Sequence, residues 1–211
     1  MGGEKSGVLG LGRPGADDDD GVRSIGDDPR PIGIDDPIPL DAGRKITKVD
    51  RDWDQLNLTP AFDTVSGTTL ADVGQALASL DEWGQGGGRV WNDAVPIGTS
   101  PTVTVQLRSD IVFRLISWDG YSSASTAAKA EWDRMIDKLK AHEMRHVQNF
   151  LDIANQLAKD LIGKDIDRLV GMVNATGPRI KRAQDQLDTE THHGKKKNVP
   201  FGDVFLDTSI P

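Results

Sequence analysis

The alternation of apolar and polar residues predicts several short β-strands in the middle of the chain. Four segments carry strand-like patterns: 62–67, 89–92, 102–107 and 111–118. The third has a strict period of two, so one of its faces is expected to be buried and the other wet. After the first segment, Thr69 can cap a short helix with apolar residues at helical spacing, and Gly84 to Gly88 are expected to end it. We therefore expect a small antiparallel sheet with short connections.

After Ser123 the period changes to that of an amphipathic helix. Apolar residues advance by threes and fours between positions 132 and 161, and Gly163 can end the helix. A second helix is predicted from about residue 165, Gly177-Pro178 should break or kink it, and a third helical piece spans about 179–187. Strands come first and helices after, so the predicted fold class is α+β: a small antiparallel sheet, then a long active-site helix and a helical hairpin.

Residues 1–45 form a composition block of their own, dominated by Gly, Asp and Pro. Too few large apolar side chains are present to offset the entropy lost on ordering, so we expect a disordered acidic leader. It can be a solvated tail without a specific role, a segment read by export or injection machinery, or an acidic flap over a metal site. The predicted globular domain is 46–194, and 195–211 is predicted as a C-terminal tail.

Charge and composition exclude several function classes. The 211 residues carry a formal net charge of −8, which argues against nucleic acid as a partner. The absence of cysteine excludes disulfides, zinc fingers and thiol catalysis. No stretch of about 20 apolar residues and no apolar signal-peptide core are found, so we expect no membrane partner. The protein is then either cytoplasmic or exported without a classical signal peptide.

The strongest chemical signal is the H-E-x-x-H motif on the predicted long helix. His142 and His146 are four residues apart, so both side chains stand on one face and can reach one Zn²⁺ at about 2.0–2.1 Å. Glu143 can hold the attacking water and take its proton. The alternative is a solvent-facing pair on an ordinary helix. However, the motif lies on the apolar face of the helix, which is expected to be buried. Polar groups are costly there without a partner, so we predict an inward-facing zinc site.

A catalytic zinc needs a third protein ligand and an open position. The other two histidines, His192 and His193, follow the later helices, and a helical hairpin can bring them back to the motif. Asp188 and Glu190 are rival ligands, and either can instead orient a histidine. The metzincin pattern requires glycine and histidine where this chain has Asn149 and Asp152, which excludes that class.

Four segments together resemble a bacterial family of predicted secreted zinc-dependent proteases, long classed as a domain of unknown function. They are FDTVSGTT at 62–69, LISW at 115–118, HEMRH at 142–146 and LDTETHHG at 187–194. The family pattern is Y-x-V-x-G-x-T, a strand ending in tryptophan, H-E-x-x-H, and a closing Y-D-x-x-T-x-H-G. The resemblance covers about residues 46–194 and implies a zincin-like, zinc-dependent peptidase.

The resemblance also implies residue roles. It matches the family's closing histidine to His193, which makes His193 the expected third ligand, and it implies that Asp188 and Thr191 fix that turn. The chain departs from the pattern at Leu187, where a tyrosine is usual, and at Arg145, where a glycine is expected. It also lacks the secretion signal.

We therefore expect peptide hydrolysis, with zinc held by His142, His146 and His193 and with Glu143 as the general base. Tyr121, the only tyrosine, can stabilise an oxyanion, although a packing role is the simpler interpretation. Segment 111–118 can pair with an extended peptide substrate by β-addition. Two other interpretations stay open. One is a non-catalytic zinc-stabilised structural protein, or a cargo or effector of a secretion or phage-like injection device. The other is a zinc hydrolase acting on non-peptide amides.

Overall fold

The computed structural model describes residues 43–95, 98 and 100–211. Its strands are β1 (Lys45–Arg51), β2 (Ala61–Val65), β3 (Gln85–Asn92) and β4 (Thr102–Trp118). Its helices are α1 (Leu70–Ala78), α2 (Thr126–Leu161), α3 (Leu169–Asn174) and α4 (Thr176–Thr191), with short 3₁₀ turns at 52–55, 121–123 and 166–168. The expected mixture of sheet and helix is confirmed. The predicted leader lies outside the described residues except for its last three. In the part of the chain described, no helix is long and apolar enough to cross a membrane.

Strand β4 is the centre of the sheet. β1 runs parallel to its first half and β2 parallel to its second half, both on one edge, while β3 pairs antiparallel on the other edge. The expected antiparallel sheet is therefore wrong for two of the three pairings. A period of two specifies which face a residue occupies but not the direction of its strand. Parallel pairing requires a long crossover, and residues 66–101, with α1 and β3, supply it between β2 and β4.

The two predicted strands 102–107 and 111–118 are one continuous strand, β4. Polar side chains at 108–110 interrupt the sequence pattern, but each finds a partner within the structure. Arg108 donates to Asp93, and Ser109 donates to Asp52. Segment 111–118 pairs with β3 along part of one edge and with β2 along part of the other. Neither edge is free along the whole segment, so β4 does not offer the peptide-binding edge that was expected.

Helix α2 folds back along β4 and forms the core with it. The helix has 36 residues and the strand 17, which gives lengths of about 54 Å and about 56 Å. Two clusters of buried apolar side chains join them. One packs the start of β4 against the end of α2, around Val105 and Phe150, and the other packs the end of β4 against the start of α2, around Trp118 and Trp132. The H-E-x-x-H motif lies where these clusters meet.

The helices largely follow the sequence pattern. Thr69 caps α1 in a capping box with Asp72, as the spacing predicts. The expected break between the second and third helices lies slightly earlier than predicted, at Ala175, and Gly177-Pro178 fall in the first turn of α4. Proline is tolerated there because the first N–H groups of a helix have no intrahelical partner. The helix then continues to Thr191, which places Asp188 on α4 rather than in a loop.

The C-terminal segment, residues 195–211, packs against the start of α2. Val204 is only 4% exposed and belongs to the second core cluster. The Arg134 guanidinium donates to the main-chain carbonyls of Asp203 and Phe205, at 3.2 and 2.6 Å. Ser125, the N-cap of α2, donates its hydroxyl to the carbonyl of Pro211. The segment predicted as a tail therefore covers one end of the helix that carries the motif.

Candidate metal centre

Helix α2 carries His142, Glu143 and His146 into the interior. They are 4%, 6% and 6% exposed, because the motif shares the helical stripe that packs on the sheet. His142 and His146 are one turn apart, and their Nε2 atoms are 3.1 Å from each other. The predicted inward orientation of the motif is confirmed.

Asp188 on α4 completes a group of three metal-ligand atoms. Its Oδ1 lies 3.1 Å from His146 Nε2 and 3.4 Å from His142 Nε2. These three residues can hold a metal ion. A tetrahedral ion bonded to nitrogen and oxygen at about 2.0–2.1 Å spaces its ligand atoms about 3.3 Å apart, which these separations match. Two imidazoles and one carboxylate are also a common donor set of catalytic zinc.

Charge at the three atoms favours a cation. Burial acts to raise the pKa of Asp188, but hydrogen bonds from His142 and His146 outweigh it and hold that pKa well below the usual value. For His146, burial lowers the pKa, and the hydrogen bonds to Asp188 and Gln184 outweigh this effect and raise it. The carboxylate therefore stays ionised and directs its charge at the point between the two rings.

Each imidazole is oriented by an oxygen on its other side. His142 Nδ1 lies 3.0 Å from the main-chain carbonyl of Phe201, and His146 Nδ1 contacts the side-chain oxygen of Gln184. These oxygens accept hydrogen bonds, so each Nδ1 carries a proton and Nε2 is the nitrogen left to bind a metal ion. Such partners fix the tautomer and the ring orientation that a metal ion requires.

Glu143 lies beside the ligands and against strand β3. Burial raises its pKa to about 7, against the lowering effect of His142 and His146. Strand β3 passes so close that a Cβ on Gly86 would lie 2.0 Å from the Glu143 carbonyl oxygen. The sequence interpretation placed Gly84 to Gly88 at the end of a helix. In the structure, the glycines at 86–88 belong to β3 and allow it to approach the motif.

The closing motif forms a left-handed turn after α4. His192, His193 and Gly194 have φ angles of 50°, 54° and 78°. Thr191 is 2% exposed, and its hydroxyl donates to the Leu187 carbonyl and accepts from the Gly194 amide. Thr191 therefore fixes this turn, which is the role that the family resemblance implied.

His193 lies near the three possible metal ligands but is not one of them. Its Nδ1 is 3.7 Å from Asp188 Oδ1, and its side chain is 80% exposed. His193 as a ligand stays a prediction, while Asp188, named as a rival, lies with the two motif histidines. Glu190, another rival, accepts a hydrogen bond from Gln186 on the exposed side of α4.

Tyr121 lies apart from the centre. Its hydroxyl donates to Asp133 at 2.9 Å, and its ring packs edge-on against Trp118. Asp133 precedes His142 on α2 by about 13 Å along the helix axis, at about 1.5 Å per residue. The structure therefore does not bring Tyr121 to the motif.

Sequence reasoning missed Gln184, Gly86 and the carbonyl of Phe201. Gln184 is one helical turn before Asp188, so both share a face of α4, and this spacing was a usable signal. Phe201 acts through its main chain, and main-chain contacts leave little trace in a sequence.

Comparison with known proteins agrees with these motifs. No curated protein and no solved structure matches the chain. A family described as "Bacterial protein of unknown function" (DUF922) matches residues 62–194, more than half of the chain. The matched range begins in β2 and ends at the glycine of the closing motif, so it includes the three residues that can hold a metal ion. The chain therefore belongs to the bacterial family DUF922.

Proposed function

We propose that this protein is a zinc-dependent metallopeptidase in which His142, His146 and Asp188 hold Zn²⁺ and Glu143 is the general base. The observation that carries the proposal is the meeting of three ligand atoms at 3.1–3.4 Å beside a buried glutamate. Two histidines and a carboxylate suit zinc, and three protein ligands leave the fourth position that catalysis requires.

Zinc supplies Lewis acidity, which lowers the pKa of water and polarises a carbonyl group. Glu143 accepts a proton from the attacking water on its carboxylate while the water oxygen bonds to the peptide carbon. It then passes this proton to the amine nitrogen as the carbon–nitrogen bond breaks. In the site without a metal ion, burial raises the pKa of Glu143 to about 7. A nearby cation lowers that pKa and favours the ionised base.

The surroundings support a zincin-like site that acts on extended peptides. The helix with the motif packs along a mixed sheet, and β3 crosses it at Glu143. Within the described residues β3 pairs only with β4, so its outer edge can add a peptide strand. The edge of β3, rather than that of β4, is therefore the proposed place for substrate.

The competing proposal is a zinc-stabilised structural, cargo or effector protein without catalysis. A purely structural zinc does not need a base beside it, and burying a glutamate is costly without a function or a partner. The 6% exposure of Glu143 at the metal group therefore favours the catalytic proposal.

Metal analysis and peptide hydrolysis test the proposal together. Purified wild type and Glu143→Gln are expected to hold a single zinc ion per chain, and His146→Ala is expected to lose it. Only the wild type should cleave casein or a fluorogenic peptide library. Equal cleavage by wild type and Glu143→Gln would overturn the catalytic assignment. Zinc in both with cleavage by neither would favour the non-catalytic role, and no zinc in the wild type would refute the metal site.

A further inference from the structure

The C-terminal segment reaches the metal centre from outside the family-matched range, which ends at residue 194. Its point of contact is the main-chain carbonyl of Phe201, 3.0 Å from His142 Nδ1. The two motif histidines are thus oriented from different parts of the chain. His146 uses a side chain of α4, and His142 uses a backbone oxygen that the family region does not contain.

A strained turn aims this carbonyl. The Gly202 amide donates to the Val199 carbonyl at 3.1 Å, Pro200 follows Val199, and Phe201 has a φ of 61°. These are the features of a type II turn, whose third position normally takes glycine. A bulky residue with positive φ is uncommon and persists only where its surroundings hold it, and such positions cluster at functional sites.

Further hydrogen bonds close the loop around this turn. The Asp203 amide donates to the Lys196 carbonyl at 3.0 Å, and the Asp203 carboxylate accepts from the Asn198 amide at 3.1 Å. Gly202 has no room for a side chain, because a Cβ there would lie 2.1 Å from the Lys196 carbonyl oxygen. These contacts support the turn that carries Phe201.

An ion pair on α2 anchors the loop to the rest of the protein. The Arg134 guanidinium donates to both oxygens of Glu131 and to the carbonyls of Asp203 and Phe205. Glu131 also accepts from the Asp207 amide at 2.8 Å. Because Glu131 is only 8% exposed, water competes little for the hydrogen bonds of its carboxylate. It fastens the chain on the C-terminal side of Phe201, and the Val204 amide bound to the Gly194 carbonyl adds a second attachment.

We propose that Phe201 is a positioning residue whose main-chain carbonyl fixes His142 as the Nδ1–H tautomer, with the Glu131–Arg134 pair holding that carbonyl in place. The inference rests on the proposed zinc site. Without the carbonyl, the His142 ring can rotate or change tautomer, and its Nε2 is no longer held beside Asp188 and His146. Loss of such an outer partner typically lowers metal affinity by about 10–100-fold.

Two substitutions at Phe201 separate the backbone from the side chain. Both Phe201→Gly and Phe201→Pro remove the phenyl ring and its contact with Arg145. Glycine accepts the positive φ, whereas proline is locked near about −65° and must turn the carbonyl away. Zinc affinity, measured by competition with a chromophoric chelator, should stay close to wild type in Phe201→Gly. It should fall by about 10–100-fold in Phe201→Pro. Equal affinities in the two variants would overturn the inference.

Substitutions in the Glu131–Arg134 pair provide a second, independent test. Arg134→Met should lower zinc affinity, and Arg134→Lys, which can still donate to a carbonyl, should recover part of it. Arg114→Met is the matched control, because it breaks an Arg–Asp63 ion pair on the sheet that does not touch the C-terminal segment. Melting temperatures of the metal-free proteins identify any variant that fails to fold. If Phe201→Pro does not fold, the Arg134 variants provide the test. A zinc affinity of Arg134→Met equal to that of Arg114→Met would then overturn the inference.

The tautomer of His142 gives a readout that does not need zinc. Nitrogen-15 spectra of the metal-free protein should show His142 protonated at Nδ1 in wild type and Phe201→Gly, and a mixture of tautomers in Phe201→Pro. A wild type that shows this tautomer but binds no zinc would refute the proposed function and leave the positioning role standing. A wild type that binds zinc with His142 protonated at Nε2 would refute the positioning role alone.

Discussion

Gln184 and His146 exchange two hydrogen bonds between α4 and α2. The amide oxygen of Gln184 accepts from His146 Nδ1, and its amide nitrogen donates to the His146 main-chain carbonyl at 3.1 Å. A carboxamide can do both at once because it carries an acceptor and a donor on one planar group. Asp188 lies one turn further along α4, so this helix supplies one of the three atoms that can bind a metal ion and also the group that orients His146.

Removing the two hydrogen bonds between Gln184 and His146 should weaken metal binding. We expect Gln184→Ala to lower zinc affinity by about 10–100-fold, because His146 loses the partner that fixes its ring. Gln184→Glu should lie between this variant and wild type, since it keeps the acceptor but loses the donor. Competition with a chelator measures the affinities. Gln186→Ala, on the exposed side of α4, is the matched control, and equal affinity in Gln184→Ala and this control would contradict the prediction.

The third ligand can be decided by two substitutions. Asp188→Ala leaves only the two motif histidines, so zinc affinity should fall further than in any variant of an orienting residue. His193→Ala should change it little, because the His193 side chain is 80% exposed and outside the group of ligand atoms. Metal content after dialysis measures both effects. The reverse order of the two effects would instead make His193 the ligand, as the family resemblance implies.

The helices and the inward motif were predictable from the sequence because a helix repeats its pattern. Apolar residues at every third or fourth position fixed the stripe of α2, and His142 and His146 fall on that stripe. The choice between Asp188 and His193 was not predictable. It depends on where α4 ends. The helix continues four residues beyond the predicted end at about residue 187, so Asp188 lies on it, next to the two motif histidines. The left-handed turn that follows leaves the His193 side chain exposed. A sequence pattern does not specify a helix end to that precision.

The pairing of strands that lie far apart in the sequence was also not predictable. The pattern of residues 102–107 showed two faces but not a parallel partner, and β1 joins it across about 50 intervening residues. The glycines at 84–88 suggested the end of the preceding helix, because glycine is disfavoured within a helix. The structure gives the reason for glycine at this place: β3 passes so close to the backbone of Glu143 that a side chain on Gly86 would not fit.

Strand β3 should not tolerate a methyl group at its closest approach to α2. Gly86→Ala places a carbon 2.0 Å from the Glu143 carbonyl oxygen, so strand or helix must shift. We expect the free energy of unfolding to fall by about 1–3 kcal/mol, the usual cost of overpacking, together with loss of peptide hydrolysis. Urea denaturation measures the first effect.

Gly171→Ala in α3 is the matched control for that substitution, because nothing lies within 4 Å of the position that the added methyl group would take. It should raise the free energy of unfolding by about 0.5–1 kcal/mol, since alanine loses less entropy than glycine in a helix. Similar effects from the two substitutions would show that β3 is not pressed against α2.

The Glu131–Arg134 pair should make stability depend on acid pH. The hydrogen bond from Arg134 lowers the pKa of Glu131, against the raising effect of burial. The folded-state pKa thus lies below the unfolded value of about 4.3, so the stabilisation is complete above that value and is lost as pH falls through the folded pKa. Urea denaturation of metal-free protein at neutral and acid pH should show a smaller loss of stability on acidification in Glu131→Gln than in wild type. The exposed Glu82→Gln is the control, and an equal acid loss in all three proteins would contradict this role for the pair.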